Sequence, residues 1–171
     1  MVINHATSSD IDALADLLGI LFLEESEFIP EKELQRAALR RIVADSNIGK
    51  VLCARDTEEE GTIDGDQSGF TPAVMRENSK SSVPIGMVSL LFTESTALGA
   101  KVALLEDMVI LPKYRAMGVG SMLLRTAIEF ARNCGCQRIT LLTDETNHGA
   151  HRFYKAHGFN QSSMTAFRLL L

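Results

Sequence analysis

Apolar residues along the chain fall into blocks of two periods. Ile11, Leu14, Ala15, Leu18, Leu21 and Phe22 recur three and four residues apart, so a helix is predicted to about Leu23. Ser8 or Ser9 is its expected N-cap, with Asp10 and Asp12 in the first turn. Pro30 suits the first position of a second helix reaching about Ala44, with Leu34, Ala37, Ala38 and Ile42 or Val43 facing inward. Val119, Met122, Leu123, Ala127, Phe130 and Ala131 mark a third helix over 118–133, with Gly135 just past its end. A short fourth runs from Asn147 to Ala156 and ends at His157-Gly158.

Between these lie runs with strand character: Val2–Ala6, Gly49–Asp56, Pro84–Thr93, Lys101–Ile110 after a turn at Gly99, and Arg138–Thr143. Phe159–Gln161 and Met164–Leu171 are expected to close the sheet. The predicted order is β-α-α-β-β-β-α-β-α-β-β, one mixed α/β domain over residues 1–171.

Charge changes this picture in one place. Residues 57–82 hold six acids and two bases and few large apolar side chains, whereas the other residues hold 16 acids and 15 bases. That segment buries too little to offset its ordering entropy, so a mobile loop insertion is expected, either tolerated by the fold or acting as a lid. Net charge is −5, which argues against nucleic acid as a partner. No apolar run approaches the ~20 residues of a membrane span. The first residues lack a signal-peptide pattern, and a cytoplasmic protein is the expectation. Cys53, Cys134 and Cys136 are an odd set with no second pair, so they read as free buried thiols. His148 and His151 stand one turn apart without further ligands, and no metal is expected.

The chemistry gathers at Leu104–Gly120, LLEDMVILPKYRAMGVG. A strand ends at Pro112. A turn with Arg115, Gly118 and Gly120 in the spacing R-x-x-G-x-G then opens a helix. Glycines admit close backbone approach and a helix start presents unpaired N–H groups, which suits a pyrophosphate. No lysine-serine/threonine pair follows the glycines and position 123 is Leu123, so neither an NTPase loop nor a dinucleotide fingerprint is present. Downstream comes N-x-x-A-x-x-F-Y-x-x-x-G-F, formed by Asn147, Ala150, Phe153, Tyr154, Gly158 and Phe159.

With these two segments in this order the chain resembles the GCN5-related N-acetyltransferase (GNAT) superfamily. The resemblance implies a mixed, mostly antiparallel sheet of six to seven strands, flanked by four helices and splayed at the cofactor strands. It implies acetyl-CoA as co-substrate, with pyrophosphate on the backbone of Arg115, Met117, Gly118, Val119, Gly120 and Ser121. Met108, Val109 and Ile110 would pair with the pantetheine arm, and Asn147 and Tyr154 would face the cofactor from one side of their helix. Tyr154 is the expected general acid for the leaving thiolate.

The step E-D-M-V-I also resembles the polyamine and thialysine acetyltransferase branch, which carries the role of amine ligand and base onto Glu106. Strand alternation puts Glu106 and Asp107 on opposite faces. An exposed carboxylate, or a salt bridge from Glu106 to Lys101, Lys113 or Arg138, is the competing possibility. Glu24, Glu25 and Glu27, between the first two helices, suit a cationic acceptor or a solvated helix end. The implied activity is acetyl transfer to a small, cationic amine. Acetylation of a protein N-terminus or lysine, or a silent acyl-CoA sensor, are the rivals. The apolar C-terminal segment and the family suggest a homodimer.

Overall fold

The computed structural model describes residues 1–25, 27–57 and 82–171. Five strands form one sheet in sequential order: β1 (Val2–His5), β2 (Gly49–Arg55), β3 (Pro84–Ser95), β4 (Ala100–Ile110) and β5 (Ile139–Leu141). The first four are antiparallel to their neighbours, and β5 lies parallel to β4. The helices are α1 (Ile11–Glu24), α2 (Lys32–Ala44), α3 (Val119–Asn133) and α4 (His148–Ala156).

Every residue from Pro84 to Leu90 is buried, because β3 is covered on both faces. Val88, Leu90, Ala103 and Leu105 pack with Val119, Leu123, Leu124 and Ala127 of α3. On the other face Val51, Cys53, Met87 and Val109 pack with Leu14, Leu17 and Leu18 of α1 and Leu39 of α2. Two apolar layers on one sheet account for why the β3 run is continuous rather than alternating.

Three details differ from the sequence expectation. The cap of the first helical segment is Thr7, not Ser8 or Ser9. The Thr7 N–H and hydroxyl both donate to Asp10 Oδ2, at 2.7 and 2.9 Å. A 3-10 turn over Ser8–Asp10 then leads into α1. In α2 the buried centre is Leu39, whereas Leu34 is 64% exposed. The helix starts at Lys32 rather than Pro30, and Leu39 is its buried residue. Finally, the sheet has five strands among the described residues, not six or seven. The segments 159–161 and 164–171 form no strand, and Met164, Phe167, Leu169, Leu170 and Leu171 are exposed. β5 is likewise shorter than Arg138–Thr143, since beyond Leu141 it has no partner. The acidic segment expected over 57–82 falls outside the described residues except at Thr57 and Ser82.

Its two flanks meet at a buried ion pair. Arg55 and Asp10 are each 3% exposed, with Arg55 Nη2 2.8 Å from Asp10 Oδ1. Arg55 Nε donates to Asn4 Oδ1 at 2.9 Å, and Nη1 donates to the carbonyl of Ser82. Burial alone would raise the Asp10 pKa, but the Thr7 amide and the Arg55 guanidinium outweigh it and hold the carboxyl below its ordinary value. Such a group stabilises the fold above the ordinary carboxylate range and loses that contribution as pH falls through its lowered pKa. Asp10→Ala is therefore expected to lower unfolding free energy in urea by about 3–5 kcal/mol, because it strands a buried guanidinium. The loss should be largest near neutral pH and shrink as pH falls from the ordinary carboxylate range through the lowered pKa of Asp10.

Candidate active site

β4 and β5 are paired only at Ala103–Leu105 against Ile139–Leu141. β4 then continues five residues alone on that side, through Glu106, Asp107, Met108, Val109 and Ile110, while remaining paired to β3 on the other. The side chains of Val109 and Ile110 are buried in the two opposite core layers. Packing is thus done by side chains, and the backbone edge of 106–110 faces a gap.

A bulge sits at the start of this free stretch. Val88 pairs with Met108 but Leu90 with Leu105, so Ser89 alone opposes both Glu106 and Asp107. Leu105 and Met108, three apart, consequently pack on the same α3 side, which strict alternation forbids. The bulge interrupts the alternation on which the opposite-face expectation for Glu106 and Asp107 rested. Both line one open cleft of about 1670 Å³, together with Glu25, Met108, Asp144 and Tyr154.

The carboxyl groups in this cleft perturb one another. Burial raises the Glu25 pKa, and Asp144, Asp107 and Glu106 push it the same way, with Arg168 opposing. Burial and then Asp107 raise that of Glu106. Burial raises that of Asp107, against a hydrogen bond from Ser89. None of Lys101, Lys113 or Arg138 pairs with Glu106 among the described residues. The other two glutamates of the α1–α2 connection are engaged elsewhere: Glu24 Oε1 takes Arg115 Nη2 at 2.7 Å, and Glu27 pairs with Arg168.

Arg115 anchors the turn after β4. Its Nε donates to the Ile110 carbonyl at 3.0 Å while Nη2 reaches Glu24. The turn itself is tight, with Ala116 and Gly118 at φ 61° and 82°. Left-handed backbone explains Gly118. Gly120 has another reason. It lies in α3, where glycine costs about 1 kcal/mol relative to alanine. A Cβ there would meet only Met108, Phe153 and Ile110 side chains, at 3.7–3.8 Å, which is ordinary contact. Neither backbone strain nor a close neighbour demands glycine, and the missing side chain leaves open the space between the helix start and Met108, Ile110 and Phe153. No side chain caps α3, so the amides of Val119, Gly120 and Ser121 lack the partners that a helix interior supplies. Exposed Met117 borders them. These residues fit a bound pyrophosphate.

α4 projects into the other side of the cleft. Asn147 Oδ1 accepts the Ala150 amide at 3.0 Å and caps the helix, a role the sequence spacing did not separate from cofactor contact. Tyr154, one face along, packs its ring against Phe153 and Phe159. Its hydroxyl points at the Met108 sulfur, 3.9 Å away, a weak acceptor. Burial pushes the phenol up to about 12. The sequence reading missed Ser89 and Asp144. Ser89 carried a signal: it is the one hydroxyl residue in the apolar run Pro84–Phe92.

No helix among the described residues is long and apolar enough to cross a membrane, and none of their His, Cys, Asp and Glu side chains cluster as metal ligands. Residues 32–159 match the Acetyltransferase (GNAT) family. The aminoalkylphosphonate N-acetyltransferase of Salmonella typhimurium is 26% identical over 160 residues, covering 94% of this chain and 85% of that one. The thialysine N-epsilon-acetyltransferase of Mus musculus is 34% identical over 77 residues, 45% of each chain. A solved structure described as a probable acetyltransferase superposes with a TM-score of 0.75 at 21% identity, covering 100% of this chain and 98% of that one. With a strand free along one edge, an uncapped helix start and a half-buried tyrosine around one cleft, and with three quarters of its length matching the family, the chain belongs to the GNAT acetyltransferases, a family that uses acetyl-CoA as co-substrate, and is an N-acetyltransferase.

Proposed function

We propose that the acceptor is a small, cationic amine, acetylated by direct attack on the thioester. The observation that carries this reading is the convergence of Glu25, Glu106, Asp107 and Asp144 on one cleft, where burial and neighbouring carboxylates raise the pKa of Glu25 and Glu106 and Arg168 is the charge opposing the rise at Glu25. Like charges held together in a partly desolvated site favour a cation that relieves their repulsion. The Salmonella relative is named for aminoalkylphosphonates, whose anionic group this cleft would repel. The mouse relative is named for a lysine analogue, a better match in charge.

In this reading acetyl-CoA lays its pyrophosphate on the turn from Arg115 to Ser121 and its pantetheine along the free edge of Met108–Ile110. The acceptor arrives as an ammonium ion between Glu106 and Asp107 and gives up a proton to this pair, which passes it to solvent. The free nitrogen bonds to the carbonyl carbon, and the tetrahedral intermediate collapses with cleavage of the C–S bond. Tyr154 gives its proton to the departing thiolate, and the nitrogen's second proton replaces it. Being held well above neutral pH, the phenol keeps its proton through the working range.

Thiol release over a panel of polyamines, lysine analogues and aminoalkylphosphonates tests the acceptor. Cationic amines should be turned over and aminoalkylphosphonates poorly; the reverse order sinks the proposal. As pH falls through the raised pKa values of Glu25 and Glu106, KM for the cation should rise. Tyr154→Phe is expected to lower kcat about 10²-fold, with acetyl-CoA affinity by calorimetry nearly intact. An unchanged kcat removes the acid assignment. Gly120→Glu should abolish calorimetric binding of acetyl-CoA, since it fills and negatively charges the open helix start.

A further inference from the structure

The cleft holds two adjacent carboxylates on β4, and the bulge gives them different surroundings. Ser89 is fully buried in the middle of an apolar strand, where an unpaired hydroxyl is costly. Both of its hydrogen-bonding functions go to one residue. Its hydroxyl donates to Asp107 Oδ2 at 2.8 Å, and its oxygen accepts the Asp107 amide at 3.1 Å. The bulge leaves one serine opposite two residues, and the serine locks the carboxyl of the second in a single rotation. Among the described residues nothing donates to the other oxygen, Oδ1, and no cation pairs with Asp107. Glu106 is the opposite case: it is the more exposed of the two, and no hydrogen bond holds its side chain among the described residues.

We propose that Asp107, oriented by Ser89 as a positioning residue, is the base that takes the acceptor's proton, and that Glu106 attracts the cation without removing it. This rests on the acetyl-transfer reading above and divides a role that the resemblance gave to Glu106 alone. Asp107 adjoins Met108 in the chain, and the Met108 sulfur faces the Tyr154 hydroxyl. Base and acid thus both line the cleft beside the free β4 edge, where the thioester would lie. The proton of the ammonium ion passes to Asp107 Oδ1 and on to solvent, the nitrogen lone pair forms the C–N bond, and the C–S bond breaks onto a sulfur protonated by Tyr154.

Geometry fixes which oxygen is available, and burial improves the group as a base. A carboxylate raised towards the working pH accepts a proton more readily than an exposed one. The charges around it are Glu106 on the same strand, Glu25 from the α1–α2 connection and Asp144 after β5. Tyr154 from α4 and Arg168 from the C-terminal segment also line the cleft, the latter already paired with Glu27, and Arg138, Glu145, His151 and Lys155 lie further along its wall.

The test is the pH dependence of kcat, at saturating amine, for thiol release with the best amine of the panel, measured on the full chain. Calorimetric acetyl-CoA affinity and urea melts serve as folding controls. A base must be ionised, so activity should climb with pH along an acid limb. Asp107→Asn, nearly isosteric, should lower kcat about 10²-fold and remove that limb. Ser89→Ala should keep the limb but move it to higher pH by about one unit, because the lost hydrogen bond favoured the ionised carboxyl. Glu106→Gln should raise KM for the cation and keep the limb, moved if anything to lower pH by the loss of a neighbouring negative charge. A limb that survives in Asp107→Asn, or vanishes in Glu106→Gln, overturns the assignment while leaving acetyl transfer intact. Absence of turnover by the unaltered protein on every amine overturns the acetyl-transfer reading itself.

Discussion

The site depends on two parallel strands that part after three residues. Had β5 followed β4 to Ile110, the backbone groups of 106–110 would be satisfied within the sheet, and no extended ligand could find them. Because it stops at Leu141, β4 keeps an unpaired edge in the interior of the molecule rather than at its rim. An unpaired edge is normally a liability, an invitation to pair with another chain. Here α4 and the α1–α2 connection stand around it, so the extended arm of a small molecule can take the place of a strand. The rigidity comes from the other side, where β3 holds β4 along its whole length between two apolar layers.

Electrostatics then divides the gap into two ends. Towards the C-terminus of β4 the local charges are the open amides of α3 and the Arg115 guanidinium, tied to Ile110 and Glu24. Towards the bulge they are carboxylates. An anion at one end and a cation at the other would lie along the same strand, and the reacting atoms would meet between them at Met108 and Tyr154. Glu24, close in sequence to Glu25, belongs to the anion end, because Arg115 holds it there.

What the sequence revealed and what it hid follow one division. The helices over Ile11–Glu24 and Val119–Asn133 were legible because a 3.6-residue period needs no partner to be recognised. The turn Arg115–Gly120 and Tyr154 were legible because their residue types answer to local chemistry. The bulge was not. A register shift exists only in the pairing of two strands, and nothing in LLEDMVI shows that Glu106 and Asp107 together oppose a single residue. The Ser89 hydroxyl was visible as an anomaly, but its partner lies eighteen residues away across the ladder. Leu34 and the expected terminal strands failed for a related reason: apolar sequence says that burial is favourable, and only the tertiary arrangement says whether a surface exists to bury against. The pairing of Glu24 with Arg115, ninety-one residues apart, was equally out of reach.

The buried Arg55 has a consequence of a different kind. It ends β2, pairs in register with Pro84 at the start of β3 and holds the Ser82 carbonyl, while neighbouring Asp56 takes the Tyr114 hydroxyl at 3.1 Å. The two ends of the intervening stretch are therefore fixed by the body of the protein, independently of what joins them. Closure entropy grows only as the logarithm of loop length, about 0.6 kcal/mol for each doubling. To the fold, the junction at Arg55 and Ser82 is a socket. Segments of very different length and composition could be spliced into it, or new chain termini opened there, without disturbing the strand that carries the chemistry.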